Sequence, residues 1–195
     1  MTNCYLLWSD REAGVIDPGG PVTEVVDFIK RNGLALKWIV NTHGHADHIA
    51  GNQTLKQTFN AWIMIHGNDR EMLLSPAQNL SAFVGEGITS PDADQILKDG
   101  DILRLGTEEL LVIATPGHTP GGISLYRPGL LFAGDTLFYE SIGRTDLPGG
   151  DYLQLIDSIR ERLLKLPPET IVLPGHGETT TIGRELKSNP FLTPS

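Results

Sequence analysis

Four short apolar runs in this chain, residues 38–40, 110–114, 130–133 and 171–173, lead within a few positions into a loop carrying His or Asp: Val40 into His43, Ala114 into His118, Ala133 into Asp135 and Leu173 into His176. A fifth run spans 61–65. Each run reads as a buried strand, bounded and short. Packing alone gives no reason for metal-binding side chains to recur just past strand ends. Strand ends are the rigid points of a scaffold, where loop ligands can be held closely enough to bind an ion. The chain is therefore expected to collect ligands along one edge of its sheets.

Helices fill the intervals. Val22, Val25, Val26 and Ile29 keep the i, i+3, i+4, i+7 spacing, with Pro21 at the first turn and Gly33 beyond the end. Tyr152, Leu155, Ile156, Ile159 and Leu163 repeat that pattern after Asp151, read as an N-cap, and Pro167-Pro168 stops it. A shorter helix is placed at about 49–59. The runs 123–126 and 130–133 flank only Arg127-Pro128-Gly129 and read as antiparallel neighbours. Strands in both halves with helices to cover them predict a layered α/β fold. The stretch 75–100, richer in Gly, Pro, Ser and Asp, is expected to hold little regular structure beyond a turn of helix near 77–83. No repeat, low-complexity tract or charge block marks a linker, so residues 1–195 are read as one domain.

Charge and cysteine content narrow the chemistry. Twenty-four acidic against 15 basic side chains give a net charge of -9, which repels nucleic-acid phosphates and anionic headgroups. The expected partner is a small-molecule substrate, with no nucleic acid and no membrane. No run approaches the ~20 apolar residues of a membrane span, and residues 1–9 lack the pattern of a secretory signal, so a cytoplasmic location is expected. The one cysteine, Cys4, excludes an intramolecular disulfide and a multi-cysteine metal site; it is read as a small buried hydrophobe in the first strand. Any metal must be held by imidazole and carboxylate.

The segment Thr42-His43-Gly44-His45-Ala46-Asp47-His48 holds three of the chain's six histidines. Such a concentration, with Asp among them, is not that of an incidental surface loop. His43 and His45 can point the same way from an extended turn, while Asp47 and His48 can turn toward a second centre. Two adjacent metals are expected.

In these residues the chain resembles the metallo-β-lactamase superfamily, and within it the small glyoxalase II-like, hydroxyacylglutathione hydrolase-like enzymes. Asp17-Pro18-Gly19-Gly20, the 42–48 segment, Thr115-Pro116-Gly117-His118-Thr119-Pro120-Gly121, Gly134-Asp135, Gly143-Arg144-Thr145-Asp146 and Pro174-Gly175-His176-Gly177 match its motifs in order. The resemblance implies a four-layer αββα sandwich with mixed sheets and the metals at one rim. It puts His43, His45 and His118 on a first ion, Asp47, His48 and His176 on a second, and Asp135 between them. Zn2+ is the first choice, with iron or manganese the alternatives. The implied activity is hydrolysis of a thioester by a metal-bridging hydroxide, Asp47 serving as a ligand and orienting or deprotonating the attacking oxygen. The family's C-terminal glutathione-binding extension has no counterpart in Thr179 to Ser195, and its usual strand before Asn3-Cys4-Tyr5 is absent, so a different thioester and a shortened or covered sheet edge are expected.

A rival within the superfamily is the mononuclear iron persulfide dioxygenase, similar at His43, His118 and Asp135. Its last motif resembles Pro-Ala-His-Asp-Tyr, whereas this chain has Pro174-Gly175-His176-Gly177-Glu178, which suits a second metal. A nuclease of the superfamily generally adds a nucleic-acid-binding arm, for which an acidic chain of this size has little room. Asp17 and Asp146 are candidates to accept the outer N–H of ligating imidazoles, Asp17 alternatively only shaping its turn. Arg144 either meets an anionic substrate or closes a loop salt bridge. His66 reads as a helix-start or surface residue, Pro18 to Gly20 and Pro148 to Gly150 as turns rather than phosphate cradles, and Trp8, Trp38 and Trp62 as core.

Overall fold

A computed structural model describes residues 1–192. The first sheet holds β1 (Tyr5–Ser9), β2 (Glu12–Ile16), β3 (Ala35–Val40), β4 (Trp62–His66) and β5 (Gln95–Leu97), in that order. β1 and β2 are antiparallel, and the remaining pairs are parallel. The second sheet begins with the antiparallel strands β6 (Ile102–Leu105), β7 (Glu108–Ala114), β8 (Ile123–Arg127) and β9 (Leu130–Gly134). A small hairpin follows, β10 (Leu137–Phe138) and β11 (Ser141–Ile142). β12 (Ile171–Pro174) then joins β9 in parallel, and β13 (Thr180–Thr181) closes that edge. The 123–126 and 130–133 runs are the antiparallel neighbours expected.

The helices are α1 (Thr23–Arg31), α2 (Ala46–Ile49), α3 (Asn52–Phe59), α4 (Arg70–Leu74), α5 (Tyr152–Ser158), continued by a π turn at Ile159–Leu163, and α6 (Ile182–Ser188). Asp151 caps α5 by accepting from the Gln154 N–H at 3.0 Å. The helix expected at 49–59 is two helices, because the Gly51 N–H donates to the Pro18 carbonyl at 2.6 Å instead of continuing the ladder from α2.

Three apolar clusters separate four layers. Ile29, Ile49 and Leu55 pack on the Val15, Ile39 and Ile63 face of the first sheet. Trp38, Val40, Val112, Leu125 and Phe132 fill the space between the sheets. Leu155, Ile159 and Ile182 cover Leu131, Ala133 and Val172 on the far face of the second. The fold is the αββα sandwich with mixed sheets.

Four expectations are corrected. The 75–100 stretch contains β5, whose three residues are too few to show alternation; Asp94 anchors it, its N–H donating to the Ile63 carbonyl while its carboxylate accepts from the Ile63 N–H and pairs with Lys56. Cys4 is exposed just ahead of β1 rather than buried in it. Trp8 is 56% exposed on edge strand β1, its ring tilted against Phe28 with centroids 5.1 Å apart, and Trp62, at the start of β4, is 54% exposed; of the three tryptophans only Trp38 is core. No helix among the described residues is long and apolar enough to cross a membrane.

Candidate metal centre

The parallel strands β3 and β4, and β9 with β12, end at one rim between the sheets, and the loops beyond them converge there. His43 and His45 follow β3, and Asp47 and His48 ride on α2. His118 lies between β7 and β8, Asp135 follows β9, and His176 follows β12. Ligand atoms of His43, His45 and His118 lie within 4.8 Å of one another, as do those of Asp47, His48 and His176 and those of His43, His48 and Asp135. Asp135 spans the two groups: Oδ1 is 3.5 Å from His48 Nε2, and Oδ2 is 3.6 Å from His118 Nε2 and 3.5 Å from His176 Nε2. Close backbone approach makes this possible. A Cβ on Gly175 would stand 2.2 Å from Asp135 Oδ1, and one on Gly19 would stand 1.7 Å from the Asp47 carbonyl.

The outer nitrogens of four rings point away from the centre, three of them into hydrogen bonds and that of His48 into an ion-pair contact. His118 Nδ1 donates to the Arg144 carbonyl at 2.7 Å and His176 Nδ1 to the Met1 carbonyl at 3.2 Å. His43 Nδ1 is 3.2 Å from Thr42 Oγ1, whose own proton goes to Asp17 Oδ2 at 2.6 Å, so the ring is the donor. His48 Nδ1 faces Asp17 Oδ2 at 3.0 Å. With Nδ1 carrying the proton, each Nε2 turns a lone pair inward when the ring is neutral. There the nitrogens crowd one another: His45 Nδ1 is 3.0 Å from His118 Nε2, and His48 Nε2 is 3.3 Å from His176 Nε2. His43 Nε2 and Asp135 Oδ1 are buried without a hydrogen-bond partner among the described residues. Facing lone pairs and buried orphan acceptors are what a cation satisfies, and ligand atoms about 3.4 Å apart surround a tetrahedral ion with 2.0–2.1 Å bonds. The donor set fits a pair of divalent ions.

The family model of the metallo-beta-lactamase superfamily matches residues 1–176. The chain belongs to that superfamily. It is similar to the hydroxyacylglutathione hydrolase GloC of Haemophilus influenzae, 40% identical over 199 residues that take in 97% of this chain and 92% of that protein. Among solved structures it is similar to the BLEG-1 B3 metallo-beta-lactamase, at 43% identity and a TM-score of 0.94 with 99% of this chain and 95% of that one covered. It is also similar to TTHA1623 in a di-iron-bound form, at 36% identity and a TM-score of 0.84 with 98% and 95% covered.

Two rings of the first group, His43 and His45, resist protonation. Burial, reinforced by the neighbouring rings, holds His43 well below the usual imidazole value; burial and His118 lower His45 to about 3. At His48 burial opposes the charge, but Asp17, Asp135 and Asp47 outweigh it and push the ring up to about 9. Asp47 is partly buried, yet the His176 hydrogen bond, the His48 charge and the Thr2 hydroxyl, 2.9 Å away, hold it well below the usual carboxylate range. Burial raises Asp135 against the pull of three rings.

Asp17 takes the ring-orienting position, accepting also from the Thr42 N–H at 2.7 Å. Asp146 does not: it holds the Arg144 guanidinium through two 2.8 Å hydrogen bonds, and the Arg144 main-chain carbonyl receives His118. Arg144 is thus the loop salt bridge. His66 caps the 3-10 turn Gly67–Asp69, accepting from the Asn68 N–H. Sequence reasoning missed Asp69. Fully buried, it accepts from the Gly44 N–H at 3.1 Å, the Thr119 hydroxyl at 2.7 Å and the Gly121 N–H at 2.7 Å, tying the His43–His45 loop to the His118 loop. It lies just beyond the fifth apolar run, so the rule that located the other ligand-bearing loops would have found it.

Proposed function

We propose that this chain is a binuclear metal-dependent hydrolase that cleaves a small thioester. His43, His45 and His118 would hold one ion, Asp47, His48 and His176 the other, and Asp135 would bridge them. The observation that carries this reading is the set of imidazoles whose outer nitrogens face Thr42, Asp17, Arg144 and Met1, leaving their inner nitrogens gathered around Asp135. When bound, two divalent ions, zinc in the first place and iron or manganese otherwise, supply Lewis acidity and lower the pKa of water toward neutrality.

The side chains do the rest. Asp47, with its side chain 55% exposed beside a cleft of about 540 Å³, stays ionised and can orient or deprotonate the attacking water. Asp17 and the Arg144 carbonyl lock ring orientation, which keeps the ligand nitrogens aimed during turnover. A thiolate leaves without a general acid, and this reading assigns none. Similarity to hydroxyacylglutathione hydrolase supports the thioester; similarity to a B3 metallo-beta-lactamase supports β-lactam hydrolysis as a second reading. A one-iron dioxygenase would leave the Asp47, His48 and His176 group without a role.

The test is metal-loaded protein, with and without chelator, against glutathione and coenzyme A thioesters and against a penicillin and a cephalosporin, with metal content measured in parallel. Chelator-sensitive release of free thiol by protein carrying two ions is expected. Protein carrying two ions that opens β-lactams and releases no thiol overturns the thioester reading, and one iron with oxygen uptake on a persulfide overturns the hydrolase.

A further inference from the structure

The cleft beside the ligand cluster is apolar away from the metal ligands. Leu80, Val84, Phe138, Ile142 and Leu147 line it, and the cation on its rim, Arg144, is neutralised by the two hydrogen bonds to Asp146. No lysine lines the cleft, and the whole chain carries a charge of -9. Glutathione brings two carboxylates and coenzyme A several phosphate charges, for which the described residues lining the cleft offer no lysine and only the Asp146-paired Arg144.

The outer wall is built to present apolar groups to solvent. Phe83 and Val84 are 75% and 85% exposed, an unusual position for large apolar side chains next to a functional cleft. They do not dangle. Below them the Ala46 N–H donates to the Asn79 carbonyl at 3.1 Å, Ser81 Oγ donates to Asn79 Oδ1 at 2.7 Å, and the Ile88 N–H donates to Ser81 Oγ at 2.8 Å. The wall is thereby fastened to α2, which carries Asp47 and His48. Leu80 turns into this wall with φ +70°, a backbone conformation a leucine rarely adopts and one that concentrates at ligand clamps.

We propose that the site selects its thioester by an apolar acyl chain seated against Leu80, Val84, Phe138 and Leu147, and that the thiol part contributes little. This rests on the thioester reading. In the reaction the oxygen of water forms a bond to the acyl carbon, the C–S bond breaks with its electron pair on sulfur, and the products are a carboxylate, a thiol and a proton.

Metal-loaded protein is assayed on N-acetylcysteamine thioesters, which carry no charge, with acetyl, butyryl and hexanoyl groups, and on glutathione thioesters of the same acids and of lactate. On the uncharged thiol, kcat/KM should rise about fourfold per added methylene, from about 0.8 kcal/mol per buried CH2, until the wall is covered. Changing the thiol at constant acyl group should alter it by less than about threefold. Leu147→Ser and Val84→Ser should each reduce the hexanoyl-to-acetyl ratio several-fold, with metal content and melting temperature confirming that both variants fold. Thioester cleavage with no rise along the acyl series, or lactoylglutathione favoured at least tenfold over the hexanoyl substrate, overturns this inference alone. No cleavage of any thioester by protein carrying both ions overturns the reading beneath it as well.

Discussion

The two candidate ligand groups are built differently. His43, His45 and His118 are all buried imidazoles, set by a main-chain carbonyl, a threonine hydroxyl and, one layer out, Asp69. Asp47, His48 and His176 mix a carboxylate with rings, and two of the three are partly open to solvent, touched by Thr2 and Met1. The first group is thus welded into the sandwich, whereas the second borrows part of its support from the segment ahead of β1. A rigid all-imidazole site is expected to keep its ion when the other is lost, and the half-open site to exchange its ion and face the substrate.

That ordering can be broken outright. His118→Ala removes a ligand from the rigid group and should cut turnover by more than about 100-fold, beyond the range that changes to outer contacts cause, with metal content falling below one per chain. His176→Ala should retain one ion and lose the other. Metal analysis of the two variants checks this; if H176A lost both ions while H118A kept one, the assignment of the stronger site would be reversed.

Asp69→Ala comes next. It strands the Gly44 and Gly121 N–H groups and the Thr119 hydroxyl in a buried site, at about 1–3 kcal/mol per unpaired group before relaxation. A net loss of about 3 kcal/mol corresponds to roughly 6–12 °C in a chain of this size. The metal affinity of the His43, His45 and His118 group should fall about 10- to 100-fold. Calorimetry and metal titration separate the two effects, and a variant with unchanged melting and unchanged affinity would show that Asp69 ties nothing together.

Asp69 lies past an apolar run, within reach of the rule that located the seven candidate ligand positions; what the sequence does not show is its task, and the reason is physical. The ligands follow apolar runs or crowd into 42–48, and both signals are local. Asp69 acts through backbone donors at Gly44 and Gly121, residues that carry no side-chain mark of their partner. The same blindness misplaced Asp146: the group that receives His118 is the Arg144 carbonyl, and a main-chain acceptor is invisible in a list of side chains. In the fold, the long runs and capped helices were legible. β5 was not, because its pairing with β4 is written in the backbone; Trp8 was misread because being in a strand does not say which strand is an edge, and Trp62 because it does not say that the first residue of interior β4 is left open to solvent.

A smaller effect separates the groups by pH in the metal-free chain. His43 and His45 have depressed values, so they contribute stability that is full above the ordinary value of 6.5 and is lost as pH falls from there toward about 3, the value for His45. His48 is raised to about 9, so its contribution is full below 6.5 and is lost as pH rises toward 9. Melting curves against pH should therefore lose part of their acid slope in His45→Gln, His43 keeping the rest, and the His48 part of their alkaline slope in His48→Gln. Slopes that changed in the opposite pairing would contradict the burial and charge assigned to each ring.

The smallest effect is expected where the two groups share a rim. Arg144 and Asp146 are exposed, and an exposed ion pair contributes little. The contact that matters to His118 is the Arg144 main-chain carbonyl, which survives any side-chain change. Arg144→Ala should therefore shift melting by no more than about 1–2 °C, the range of a surface substitution, and leave metal content unchanged. Asp146→Ala sharpens the comparison, because it frees the guanidinium at the cleft mouth: an anionic thioester should then bind more tightly, by a few-fold and less so at high salt, while an uncharged one should not. Loss of the first ion in either variant would mean that the side chains, and not the backbone, hold His118 in place.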